Sequence, residues 1–199
     1  MLWLLSHLLW AHPFSTNEYS VRTAMKVSDK GVALLVAMEI PITVALEEIG
    51  AKKEESKKSK QKKIKRYTQQ QWDLLAKSLR YTVDGKEPKG RWRPIEHPAN
   101  GKAAEGFFVY LVGFQSKKPL KVKPGMTIVV ENNAYPEAPM VYTASAHSSE
   151  PWRIAESTSK TILGEKEALP LAEADRWSRD AGLRTLTVVV AKDEQEKSK

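Results

Sequence analysis

Between residues 106 and 147, apolar residues arrive in short bursts, each ended by turn-forming residues, and no helical period runs through them. The run 107–114 is aromatic and β-branched and closes in Ser116, two lysines and Pro119. Leu120-Lys121-Val122-Lys123 alternates strictly until Pro124-Gly125 breaks it. A further burst, 126–131, stops at Asn132-Asn133, and Pro136 and Pro139 bracket a loop before 140–144 resumes. Bursts of this length with turns between them predict antiparallel strands stacked in two layers.

The flanks fit that core. Residues 19–27 and 32–40 are apolar segments on either side of Ser28-Asp29-Lys30-Gly31, which predicts a hairpin whose turn uses glycine at positive φ. Residues 42–49 have mixed periodicity, consistent with a short helix closed by Gly50. Thr68 and Gln71 form a T-x-x-Q capping box, so a helix is expected to start at Thr68, with Trp72, Leu75, Ala76 and Leu79 on its core face. Tyr81 to Lys86 reads as a strand entering an Asp84-Gly85 turn. Arg91-Trp92-Arg93 reads as a half-exposed edge strand whose arginines snorkel. Residues 145–151 are expected to be loop, 164–180 a long connection, and 183–191 the last strand. The expected fold is mostly β: an antiparallel, immunoglobulin-like β-sandwich with one short amphipathic helix and a basic insertion.

The chain has 199 residues and no cysteine. That length is enough for one domain to bury a core without disulfides, and thiolate metal sites and thiol nucleophiles are excluded. Residues 52–66 hold nine lysines and arginines against two glutamates, +7 of the chain's +8. The excess charge is therefore local. Lys57, Lys58, Lys60, Lys62, Lys63, Lys65 and Arg66 are the candidate anion-binding residues, for acidic lipid, polysaccharide or nucleic acid. No aromatic residue interleaves these lysines before Tyr67, which disfavours nucleic acid and favours a solvated, flexible insertion between ordered elements.

Residues 1–11 are apolar apart from Ser6 and His7. A helix of ten residues reaches only ~15 Å of a ~30 Å bilayer core, so the run is read as the remnant of an export signal. No apolar run of spanning length occurs elsewhere in the sequence either, and no transmembrane anchor is expected. The expected organisation is a signal remnant at 1–11, one sandwich domain at 12–191 with its insertion at 52–66, and a charged tail at 192–199. The protein is expected in the periplasm or outside the cell. Cleavage after Ala11 would expose His12, whose α-amine and ring nitrogen, helped by His97 or His147, would make a three-nitrogen site suited to copper.

The Ala11-His12-Pro13 start, the strand pair, the Trp72 to Leu79 helix, Asp84-Gly85 and the strands between Phe107 and Ile128 resemble the extracytoplasmic β-sandwich domains of hydrogenase/urease accessory-type membrane proteins. The histidine start also resembles small periplasmic copper-resistance sandwich proteins. The resemblance implies an exported sandwich and, through the second group, copper as a ligand. The residues themselves offer no glycine-rich phosphate loop, no H-E-x-x-H and no G-x-S-x-G. No enzyme is expected. The expected function is a binding or structural module with an envelope or protein partner, the alternatives being a copper-binding protein and an anionic-polymer binder.

Overall fold

Two sheets and two helices account for the computed structural model, which describes residues 18–52, 54–104, 106–138, 140–158, 161–163 and 178–192. Strands β1 (Tyr19–Ser28) and β2 (Gly31–Pro41) form the expected hairpin in continuous antiparallel register, from Ser20 opposite Glu39 to Ser28 opposite Gly31. Helix α1 (Ile42–Glu48) follows at once, and Gly50 ends it at φ +59°. Helix α2 spans Lys57–Ser78 and runs straight into β3 (Leu79–Val83). Then come β4 (Gly90–Pro94), β5 (Lys102–Ala104), β6 (Phe107–Ser116), β7 (Thr127–Asn132), β8 (Met140–Ser148), β9 (Trp152–Ser157), β10 (Thr161–Leu163) and, after a 3-10 turn at Ala181–Arg184, β11 (Thr185–Lys192).

The larger sheet has the order β10-β8-β1-β2-β6-β4, with β5 also on β6; the smaller is β3-β7-β11-β9. Alternation assigns the faces. Val21, Met25 and Val27 of β1, Val36, Met38 and Ile40 of β2, and Phe108, Tyr110 and Val112 of β6 are buried at period two. The inner face of the larger sheet has two covers. Towards one end Met25, Val27, Leu34 and Ala146 pack on Ile128, Val130, Leu186, Val188 and Val190 of the smaller sheet. Towards the other, Tyr19, Val21, Met38, Ile40 and Tyr110 pack on Ala45 of α1 and on Tyr67 and Leu75 of α2. The fold is thus a mostly β, two-layer sandwich that is not closed, with a helix completing one layer.

Four expectations need correction. The sandwich is not wholly antiparallel: β8 pairs with β1 in parallel, and β10 with β8 likewise. Turn residues predict only local hairpins, whereas β8 arrives from the other sheet and takes the free side of β1. Residues 120–123 alternate but form no strand; Leu120 and Val122 pack against the core from an irregular connection. Residues 145–148 continue β8 instead of forming a loop. The long helix starts at Lys57, eleven residues before Thr68, capped by Ser56, whose side chain accepts from the Ser59 amide at 3.3 Å. Thr68 is buried in mid-helix. Residues 1–17, most of 164–180 and the tail beyond Lys192 lie outside the described residues, and with them the export remnant, His12 and the charged end. Among the described residues no helix is long and apolar enough to cross a membrane.

Candidate functional site

The basic segment is a helical surface, contrary to the expected flexible insertion. No glycine or proline occurs between Gly50 and Gly85, so nothing interrupts a helix that the apolar seam of α2 has already anchored. The seam extends backwards from Leu75 through Gln71, Tyr67 and Thr68 to the half-buried Ile64, Lys63 and Lys60. Lys57, in the first turn, is exposed on the seam side, and Lys58, Lys62, Lys65 and Arg66 are exposed on the opposite side. On a helical wheel the last four fall within about 100° of arc and about 12 Å of axis. Ser56, Lys58, Ser59, Gln61, Lys62 and Lys65 line a shallow, open surface along this stripe.

Not all seven candidate cations are available. The Lys63 ammonium pairs with Glu55 at 3.1 Å and donates to the Gly50 carbonyl at 3.0 Å, tying the start of α2 to the end of α1. Ser59 and Lys63 together hold the Glu55 carboxyl below the usual carboxylate range. Lys60 is half-buried on the seam. The first turn of α2 contains no acidic residue. Lysines there oppose the positive end of the helix dipole, and Lys58–Lys62 and Lys62–Arg66 are like-charge pairs at i,i+4, each unfavourable by a few tenths of a kcal/mol. An isolated fold gains nothing from this arrangement, whereas an anionic ligand would be favoured by both terms.

A polar seat fixes the other half of the helix. The phenols of Tyr19 on β1 and Tyr67 on α2 both donate to the Glu48 carboxylate of α1, each at 2.5 Å. Tyr135, in the connection between β7 and β8, donates to Gln71 and sets its ring 5.2 Å from that of Tyr19. Burial, then the bond to Glu48, pushes the Tyr19 and Tyr67 phenols well up, and burial raises Tyr135 to about 12. All three therefore act as protonated donors. Tyr135 has φ +47°, a strained value for an aromatic residue. Arg184 stabilises that bend by donating to the carbonyls of Ala134 at 2.8 Å and Tyr135 at 3.0 Å, with its guanidinium 5.1 Å from the Tyr142 ring centre.

At the far end, Trp72 donates through its indole to the Asn100 side chain at 2.9 Å. Asn100 stands in for a strand residue between β4 and β5: its Oδ1 accepts from the Leu111 amide at 2.8 Å, and its Nδ2 donates to the Leu111 carbonyl at 2.9 Å and the Ile95 carbonyl at 2.8 Å. The next residue, Gly101, has φ +72°, and a Cβ there would lie 2.8 Å from both Thr68 and Trp72. Of these seat residues the sequence marks Trp72 as core-facing and Thr68 and Gln71 only as a cap. Positive-φ positions and paired carbonyls in loops have no periodic signature.

The histidines are not brought together. His147 lies on the outer face of β8 opposite Lys26, and burial followed by that lysine lowers its pKa. His97 lies in the connection beside β6, its Nδ1 accepting from the Ala99 amide at 3.2 Å. Three strand intervals, from β8 through β1 and β2 to β6, separate them, about 14 Å at the usual spacing. They cannot share one ion, and among the described residues no three His, Asp or Glu side chains are placed to hold a metal. The expected copper site, His12 helped by His97 or His147, rests on His12, which lies outside the described residues. In comparisons with known proteins, no protein-family model matches the chain and no curated protein matches it.

Proposed function

We propose that this protein is a non-catalytic β-sandwich module that binds anionic polymers through the exposed face of α2. The observation that carries the reading is the segregation on that helix. Its apolar seam and its hydrogen bonds serve the fold, while Lys58, Lys62, Lys65 and Arg66 face outward with no acidic partner in the first turn. The exposed stripe carries no apolar side chain, so it has nothing to insert into a bilayer, and no aromatic ring on which single-stranded bases would stack. Contact is through charge alone. The polar groups of the seat, Glu48 and its two phenols foremost, are occupied in holding the helix, which supports a binding role over a catalytic one.

The test is retention on immobilised heparin. The wild-type protein is expected to need markedly more salt for elution than a K58Q/K62Q/K65Q variant of unchanged melting behaviour. Equal elution positions would reject the helix face as the binding surface. Export belongs to the same proposal and rests on residues 1–11. The mass of protein recovered from the expressing cell checks it: a start at His12 supports export, and a retained Met1 contradicts it.

A further inference from the structure

Outside 52–66 the sequence is close to neutral, yet the fold does not spread its charges evenly. The connection from β6 to β7 contributes Lys117, Lys118, Lys121 and Lys123, all exposed, and no acidic residue occurs between Phe114 and Val130. It passes beside the turn that leads into β4. The Lys117 amide donates to the Lys89 carbonyl at 2.9 Å, and Arg91 stands opposite Gln115 in the β4–β6 ladder. On its other side it meets the β1–β2 turn, where a Cβ added to Gly31 would stand 2.9 Å from the Leu120 carbonyl oxygen; that turn adds the exposed Lys30. The β3–β4 turn joins the same end through Asp84 and Thr127, whose backbones bond at 2.9 Å.

Among the described residues the acids of this end are Asp29, Asp84, Glu87 and Glu150. Asp84 is engaged by the Thr127 amide at 2.9 Å, and Glu87 pairs with Arg80 at 3.2 Å. Cations remain in clear excess. This surface lies at the opposite end of the larger sheet from α2. The α1–α2 end meets the start of β6 through the bond from the Ile42 amide to the Gly106 carbonyl, whereas Lys117 follows the last residue of β6. Along β6 that is about 30 Å, several times the ~8 Å screening length of physiological salt, so the two surfaces act independently.

We infer that the end formed by the β1–β2 turn, the β3–β4 turn and the β6–β7 connection is a second anion-binding surface, making one molecule a bridge between two polyanion chains. The ligand class, a polymer bearing sulfates, phosphates or carboxylates, is taken over from the function proposed above; the surface itself is a separate observation. Bivalency predicts cross-linking, which binding at one surface does not.

The experiment is light scattering on titrating the protein with unfractionated heparin, alongside binding measured by fluorescence on a short labelled heparin fragment. Three proteins are compared: wild type, K117Q/K118Q/K121Q/K123Q, and K58Q/K62Q/K65Q. All substitutions are at exposed positions, and matched melting curves verify the folds. Wild type is expected to scatter through a maximum near equivalence and clear in excess heparin. Each variant is expected to retain binding, weakened about tenfold, and to lose the maximum. A β6–β7 variant that scatters like wild type overturns the second surface and leaves the helix reading intact. A helix variant with no residual binding also overturns it. A helix variant that binds like wild type, with binding lost in the β6–β7 variant, would keep the second surface and reject the helix. No binding by wild type rejects both.

Discussion

Glu48 shows how a single carboxylate organises a boundary between helix and sheet. It receives phenols from β1 and α2 while remaining exposed on its other side. Replacing Tyr67 by Phe removes one donor from it without opening a cavity, and a loss of about 1 kcal/mol in urea unfolding is expected; an unchanged midpoint would show that the bond contributes nothing net. The phenols also set the alkaline limit. All six tyrosines have their pKa raised, in each case first by burial. The unfolded chain gives up phenol protons near pH 10, the folded protein only above it. Stability is therefore expected to hold below about pH 9 and to fall as pH rises past about 10. Phenolate absorbance should rise together with unfolding, and a tyrosine titrating near pH 10 in folded protein would contradict this. The sequence marks the tyrosines as apolar members of strands and a helix. It does not show that Glu48, nineteen residues from Tyr67, meets its phenol, because that meeting depends on how α1 and α2 turn back onto the sheet.

At the level of elements, α2 is the clearest case of a segment half legible in advance. Trp72, Leu75 and Leu79 repeat at helical spacing and do face the core. The sequence misplaces the helix start because Thr68 and Gln71 mimic a cap, while the actual cap, Ser56, sits beside lysines and glutamates. The lysine-rich first turn makes a prediction of opposite signs. Lys57→Glu is expected to stabilise the protein by about 0.5 kcal/mol at low salt through the helix dipole, while weakening heparin binding. A variant that gains in both, or loses in both, would show that the first turn is not shaped by a ligand. Asn100 makes a second element-level test. Asn100→Asp keeps the acceptor for Trp72 and the Leu111 amide but loses both donors to carbonyls. A cost of at least ~2 kcal/mol is expected, read as a lowered unfolding midpoint and faster amide exchange at Leu111.

For the whole molecule, the strand bursts between residues 106 and 147 carried the two-layer fold, since alternation and turn residues are local properties. The parallel placing of β8 beside β1 is a long-range choice and left no local mark. Charge behaves the same way: summed along the sequence it is confined to one run, while the fold gathers lysines from three separated connections at the other end of the sheet. Among the described residues, a basic helix thus stands at one end of the larger sheet and basic turns at the other. The most direct measurement is affinity for a short DNA duplex, used only as a regular array of phosphates, at salt concentrations from about 50 to about 200 mM. The four outward cations of α2 should give a slope of log affinity against log salt of about −4 or steeper, reduced by about 3 in K58Q/K62Q/K65Q. A slope near zero, or one that the triple substitution leaves unchanged, would contradict the assignment of α2 as a polyanion-binding face.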